Sequence, residues 1–324
     1  MLLLCWRDTV SFLCIKGSPL IIEKVYFFRL FIKCKMREKI KTGISIFIIL
    51  ILLPYVAVVF RTGNMRGQKE QAEAPGLEDY VAGILPGQMS VSYQTEALKA
   101  QAVIIRTNLL KKSMEFYGIK SLSEAAEAIQ EDDLKAMGFA YSSPDELEEL
   151  WGYEQWETNY TKLEQIVSST AGQVLTIDQQ LVDLPYHAIS AGKTRSGQVL
   201  GEGYFYLESV DCPTDVEAAD YLKVQVLSLD ELPVIVEQDD ARYVTKIRIG
   251  EEILAGEEFR SRFSLNSSSF TLEQTEEGVR VVTKGLGHGL GLSMYQANRF
   301  ADEGKTYLEI LLYFYKNVEC ISFN

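Results

Sequence analysis

Two clusters of residues carry side chains able to bind or react. Near the C-terminus, Gly285, Gly287, Gly289 and Gly291 alternate with Leu286, His288 and Leu290, and Ser293 and Tyr295 follow. Glycines at this density let a backbone approach a bound ligand closely, while His288 and Tyr295 offer a ring and a hydroxyl. The structural reading is a tight turn before a helix capped by Ser293. Four glycines in seven residues exceed the needs of one turn, so a cleft-lining loop is expected. The second cluster is His187 in an apolar strand, followed by Ser190, Lys193 and Thr194. From its apolar strand it reads as a hydrogen-bonded core histidine.

Other chemistries fit poorly. No glycine-lysine-serine/threonine follows the glycines, and their spacing is not that of a dinucleotide fingerprint. The ligand types for zinc are confined to His187, His288, Cys212 and Cys320 in the chain beyond residue 60, without the close pair spacings of a zinc site, so no metal and no cofactor is expected. The same two cysteines leave a single disulfide open and imply no disulfide framework.

The elements that must position these clusters follow from periodicity. Leu98, Ala102, Ile105 and Leu109 recur at helical spacing within 92–112, with Glu96 in the first turn where the helix dipole favours a carboxylate. Helices are also expected over 121–137, 143–151 and 160–169, with Trp151, Tyr153, Trp156 and Tyr160 as an aromatic cluster whose spacing reads as core packing. Strands are expected at 173–177, 181–189, 222–226, 242–249, 270–274 and 279–284, then helices at 293–303 and 307–315. Helices first, then mostly antiparallel strands, predict an α+β domain rather than a doubly wound sheet.

The N-terminal part reads differently. Residues 44–60 carry no charge, a length of about 26 Å as a helix, and a basic flank at Lys33, Lys35, Arg37, Lys39 and Lys41 puts the N-terminus in the cytoplasm. A single-pass anchor over 44–60 is expected, with 1–43 cytoplasmic, and a cleaved signal is the competing reading. The broken apolar pattern of 1–35 points to a start at Met36, and 61–76 has the composition of a flexible linker. Of the 32 basic and 45 acidic residues, 9 and 3 lie in 1–41, which leaves the rest with a formal charge of −19. Nucleic acid is excluded as an expected partner, because phosphate contacts need clustered Lys and Arg.

Three ordered motifs carry a family resemblance across 77–320. They are Leu77-Glu-Asp-Tyr-Val-Ala-Gly-Ile-Leu-Pro-Gly-Gln-Met with Glu96-Ala-Leu-Lys-Ala-Gln-Ala-Val-Ile-Ile-Arg-Thr; Tyr186-His-Ala-Ile-Ser-Ala-Gly-Lys-Thr; and Gly285-Leu-Gly-His-Gly-Leu-Gly-Leu-Ser-Met-Tyr-Gln. Together they resemble the stage II sporulation protein D family, related to the amidase enhancers. The resemblance implies a peptidoglycan-remodelling domain over 77–324, outside the cytoplasm, acting during engulfment in endospore-forming bacteria. It implies lytic transglycosylase-like action on glycan strands stripped of peptides, with a partner amidase and a membrane scaffold. Arg106, His187, Ser190, Lys193, Thr194, Gly287, His288, Gly289, Ser293 and Tyr295 are the substrate-binding positions so implied. One carboxyl of raised pKa can protonate the leaving oxygen and then deprotonate the attacking hydroxyl. In this chain Gln88 stands where the family's proposed acid is a glutamate, and an amide donates no such proton. Glu96 is the nearest substitute, with Glu78 and Asp79 weaker ones. Enzyme and glycan-binding enhancer both stay open on these residues.

Overall fold

The computed structural model describes residues 75–323 and, ahead of them, Leu53 alone. The expected anchor at 44–60 and nearly all of the linker lie outside the described residues. Among the described residues no helix is long and apolar enough to cross a membrane.

The chain folds as α1 (Leu77–Gln88), α2 (Thr95–Tyr117), α3 (Leu122–Ala128), α4 (Glu131–Leu134), α5 (Pro144–Trp151) and α6 (Tyr153–Ser169). Strands β1 (Gln173–Ile177), β2 (Gln180–Leu181), β3 (Tyr186–His187), β4 (Leu222–Leu227), β5 (Val234–Gln238), β6 (Val244–Ile249) and β7 (Glu252–Ala255) follow. The chain closes through α7 (Gly256–Arg262), β8 (Phe270–Thr275), β9 (Gly278–Lys284), β10 (Leu292–Ser293), α8 (Met294–Asp302), α9 (Tyr307–Phe314) and β11 (Glu319–Ser322). The mixed α+β class is as expected. Sheets β11-β1-β2, β4-β9-β8 and β5-β6-β7 are antiparallel, and β3 and β10 form a short parallel pair.

Helix α2 is the axis of the larger core. The expected stripe is buried, but so are Ala100, Gln101, Val103 and Ile104 on the remaining faces, because α1, α6, α8, α9 and β1 pack round it. Each such Leu, Ile or Val side chain contributes on the order of 1.5–3 kcal/mol through burial. The helix ends where Gly118 takes a left-handed turn and its N–H returns to the Met114 carbonyl.

The expected helix over 121–137 is two short helices. Ile129 turns extended between them, which lets Ile129 and Leu134 both reach the core. The expected strand over 181–189 is likewise broken into β2 and β3. Asp178 and Gln179, both at positive φ, form the two-residue turn of the β1–β2 hairpin. Strands β5, β7 and β11 and helix α7 carried too little alternation or length to be read from sequence.

A second, smaller core lies among β4 to β9, where Leu227, Val244, Ile247, Phe259, Phe270 and Val281 meet. Cys212 is buried, Cys320 is half-buried, and both thiols are free.

Candidate functional site

The parallel pair β3–β10 sets Tyr186 beside Leu292 and His187 beside Ser293, so the second and third sequence motifs lie side by side. The glycine loop is stitched to the chain after β3. Ile189 and Leu286 exchange backbone hydrogen bonds at 2.7 and 3.0 Å, Gly285 N–H reaches Tyr221, and Gly289 accepts from Arg195 N–H at 2.8 Å.

The glycines serve this close fit. Gly289 and Gly291 have φ of 78° and 66°, and a Cβ would drive into the Tyr243 ring at the first and the Pro185 carbonyl at the second. Both positions are buried. The steric demand at these glycines thus comes from the protein's own atoms, a side chain at one and backbone at the other, whereas direct contact with a sugar was the expectation.

Two neutral histidines flank this loop, their ring centroids 5.8 Å apart. Leu290 N–H donates to His288 Nδ1 at 3.1 Å, which leaves the His288 proton on Nε2. His187 Nδ1 lies 3.0 Å from the Leu290 carbonyl and must donate to it, so its Nε2 is an acceptor, buried and without a partner among the described residues. Burial, followed by repulsion from His288, pushes the His187 pKa down to about 3. Burial also lowers His288, with Glu257 opposing and Arg260 and Arg195 assisting. Among the described residues no three His, Cys, Asp or Glu side chains are arranged to hold a metal ion.

The centre of the arrangement is Asp215, which the sequence did not single out. It is fully buried, and its Oδ2 accepts from Ser190 N–H at 2.7 Å and from the Ser293 hydroxyl at 2.8 Å, while Oδ1 has no partner among the described residues. One carboxyl therefore clamps the loop after β3 to the start of α8. Burial raises its affinity for a proton, and the hydrogen bonds from Ser190 and Ser293 oppose that rise. Ser293 also caps α8 as expected, accepting from Gln296 N–H. Thr194 is buried and accepts from Val210 N–H, whereas Lys193 is partly exposed and 4.0 Å from Asp211.

Arg195 was missed as well. It is 5% exposed and donates to Asp239 at 2.6 Å and Glu257 at 3.2 Å with its guanidinium over the Tyr243 ring, tying the loop to the β5–β7 sheet.

The segment after α1, next to the first motif, is joined to α8. Gln88 is the half-buried last residue of that helix, and Met89 behind it is buried. Tyr93 lies close enough to Tyr295 and Asp215 that, after burial, their charges raise its pKa. Gln94 N–H donates to Asn298 on α8, and Lys162 holds the Val91 and Tyr93 carbonyls at 2.7 and 2.9 Å. Tyr93 and Lys162 carried no signal in the sequence, because each acts through backbone or neighbours distant along the chain.

The roles expected of Arg106, Glu78, Glu96 and Asp79 are corrected. Arg106 is fully buried and bound to Glu78 through Nε and Nη2, with Nη1 on the Gln173 carbonyl, so it joins α1, α2 and β1 rather than meeting substrate. Glu78 also takes the Gly172 N–H. Glu96 is occupied by Lys99 at 2.7 Å and by Tyr307 N–H at 2.9 Å, where it caps α9. Asp79 caps its own helix through Gly76. The aromatic cluster is interior only in part: Trp151 packs against the larger core, whereas Tyr153 is 82% exposed and Trp156 stacks on Tyr160 with ring centroids 4.3 Å apart.

Comparison with known proteins gives the family. A model of the stage II sporulation protein family matches residues 65–177. Stage II sporulation protein D of Bacillus subtilis (strain 168) is 31% identical over 281 residues, covering 82% of this chain and 79% of that protein. The stage II sporulation protein D of Bacillus amyloliquefaciens is 28% identical over 281 residues, covering 82% and 78%. The amidase enhancer of Bacillus subtilis (strain 168) is 24% identical over 289 residues, 74% of this chain and 40% of that protein. With a relative above 30% identity spanning most of both chains, this chain belongs to the stage II sporulation protein D family.

Proposed function

We propose that this protein is a membrane-anchored sporulation protein that grips peptidoglycan glycan strands during engulfment and acts with a partner amidase, without cutting the glycan by the usual single-carboxyl route. In this reading residues 44–60 span the membrane, the residues ahead of them stay in the cytoplasm, and 61–76 tether a glycan-binding domain of 77–324 outside. The observation that carries it is Gln88 at the end of α1: an amide occupies the acid's position, while the nearby alternative, Glu96, is taken up by Lys99 and the α9 backbone. The relatives' names, a sporulation protein and an amidase enhancer, agree with a role in cell-wall remodelling.

A second reading, residual cleavage, is favoured by Asp215, a buried carboxyl of raised proton affinity in contact with the Ser293 hydroxyl. Incubation of the full chain in detergent with peptide-free glycan strands separates the two. Binding without 1,6-anhydro ends is the expected outcome, with such ends gained in Gln88→Glu. Turnover by the unaltered protein that is lost in Asp215→Asn establishes the second reading instead.

A further inference from the structure

Beyond the glycan site, a cavity of about 540 Å³ opens between the two sheets of the smaller core. That volume lies within the range of ligand sites, roughly 300–1,000 Å³. Its walls are two edge strands, β5 in the order β5-β6-β7 and β8 in the order β4-β9-β8. The sheets are joined where Val244 N–H donates to the Ser268 carbonyl at 2.9 Å, and the cavity lies alongside Val234 and Ile235 on one wall and Phe270 to Leu272 on the other. Every second residue of an antiparallel edge strand turns its N–H and C=O away from its only neighbour, so both walls present backbone groups for pairing. Pro233 has no N–H, so the open ladder of the first wall begins at Val234.

The lining is apolar at Leu232, Ile235, Phe270 and Leu272 and carries two cations, Arg242 and Lys284, with no carboxylate. Neither cation forms an ion pair among the described residues. In a chain of net charge −13 such a patch is a local reversal of sign. Arg242 is held at φ 64°, a left-handed position that arginine seldom adopts. Ala191, next to the clamped Ser190, closes one end of the cavity, so an occupant would sit beside the glycan site.

We propose that this groove docks an extended segment of a protein partner, four to six residues with alternating apolar and acidic side chains, added as a strand to β5 or β8. The strand lengths of 5 and 6 residues set the length, and the paired cations set the charge. Peptidoglycan stem peptides alternate L and D residues and do not continue a ladder of this kind. The proposal does not depend on the glycan reading.

The test uses the full chain in detergent and a fluorescein-labelled octapeptide of alternating valine and glutamate, followed by anisotropy and by backbone hydrogen exchange. Expected are saturable binding, slowed exchange within 234–238 or 270–275, and about tenfold weaker binding of the valine-glutamine peptide. The double variant Arg242→Asn, Lys284→Gln weakens binding by a similar factor while leaving glycan co-sedimentation unchanged, asparagine being chosen because it tolerates positive φ. No binding, equal binding of the neutral peptide or of the double variant, or unchanged exchange on both edges overturns the proposal, as does preferential binding of stem-peptide fragments. Loss of glycan binding alone bears only on the glycan reading.

Discussion

Two regions of the molecule, the end of α1 at Gln88 and the surroundings of Asp215, are built in opposite ways. At the Gln88 end, an uncharged side chain finishes a helix, half-exposed, and the turn after it is anchored by its neighbours, Met89 in the core and Lys162 on the Val91 and Tyr93 carbonyls. At the Asp215 end, a buried carboxyl, two hydroxyls, two neutral histidines and a loop of left-handed glycines interlock, with polar atoms left unpartnered in the interior. At the second end each polar group is bound to another, so changing one disturbs several. The first end could change its residue with little effect on the rest. A protein that lost its proton donor and kept its binding frame would have this asymmetry.

The comparison makes graded predictions. Gly291→Ala has the largest expected effect, a loss of more than about 3 kcal/mol in denaturant unfolding, since the new methyl meets the Pro185 carbonyl and the φ is unfavourable. Next comes Asp215→Ala, expected to cost about 2–3 kcal/mol by leaving Ser190 N–H and Ser293 Oγ without their acceptor, and to abolish glycan retention in co-sedimentation. Asp215→Asn keeps one acceptor oxygen and should retain the fold; equal losses in both variants would refute the clamp.

On the helical side, Glu78→Gln is expected to cost about 2 kcal/mol, below the range for a fully buried pair because Glu78 is 35% exposed, and to leave glycan retention unchanged. Loss of retention there would return Arg106 to the binding site.

The acid limb tests His187. Its folded pKa lies near 3, below the ordinary 6.5 of an unfolded histidine, so between these values the unfolded chain holds a proton that the folded chain does not. The contribution is fully present above pH 6.5 and is lost as the pH falls toward 3. Stability measured across that window should fall less steeply in His187→Asn than in the unaltered protein. Smallest of all, Gln88→Ala should change stability by under about 0.5 kcal/mol; a cost rivalling that of Asp215→Ala would erase the asymmetry.

Much of the architecture was legible because it rests on local periodicity. The stripe of α2, the helix over 143–151 and strands β1, β6, β8 and β9 follow from residues within one or two turns of each other. Helix α6 begins seven residues earlier than its apolar pattern suggested, because Gly152 at positive φ starts a new helix directly after α5. The site was half-legible: its motifs were visible, but the partners of each polar group were not. Arg106 and Glu96 looked like site residues by position in a motif, and only the fold shows their charges consumed by Glu78, Lys99 and the α9 backbone.

The sequence by itself determined the α+β class, the family, and the amide at position 88, since these reside in composition, order and residue identity. Tertiary structure alone decided that Asp215 clamps Ser190 to Ser293 across separations of 25 and 78 residues. It also decided that the glycines yield to Tyr243 and Pro185. Contacts at that range depend on how separate elements pack, and a carboxylate's partners are set by which loops burial brings to it.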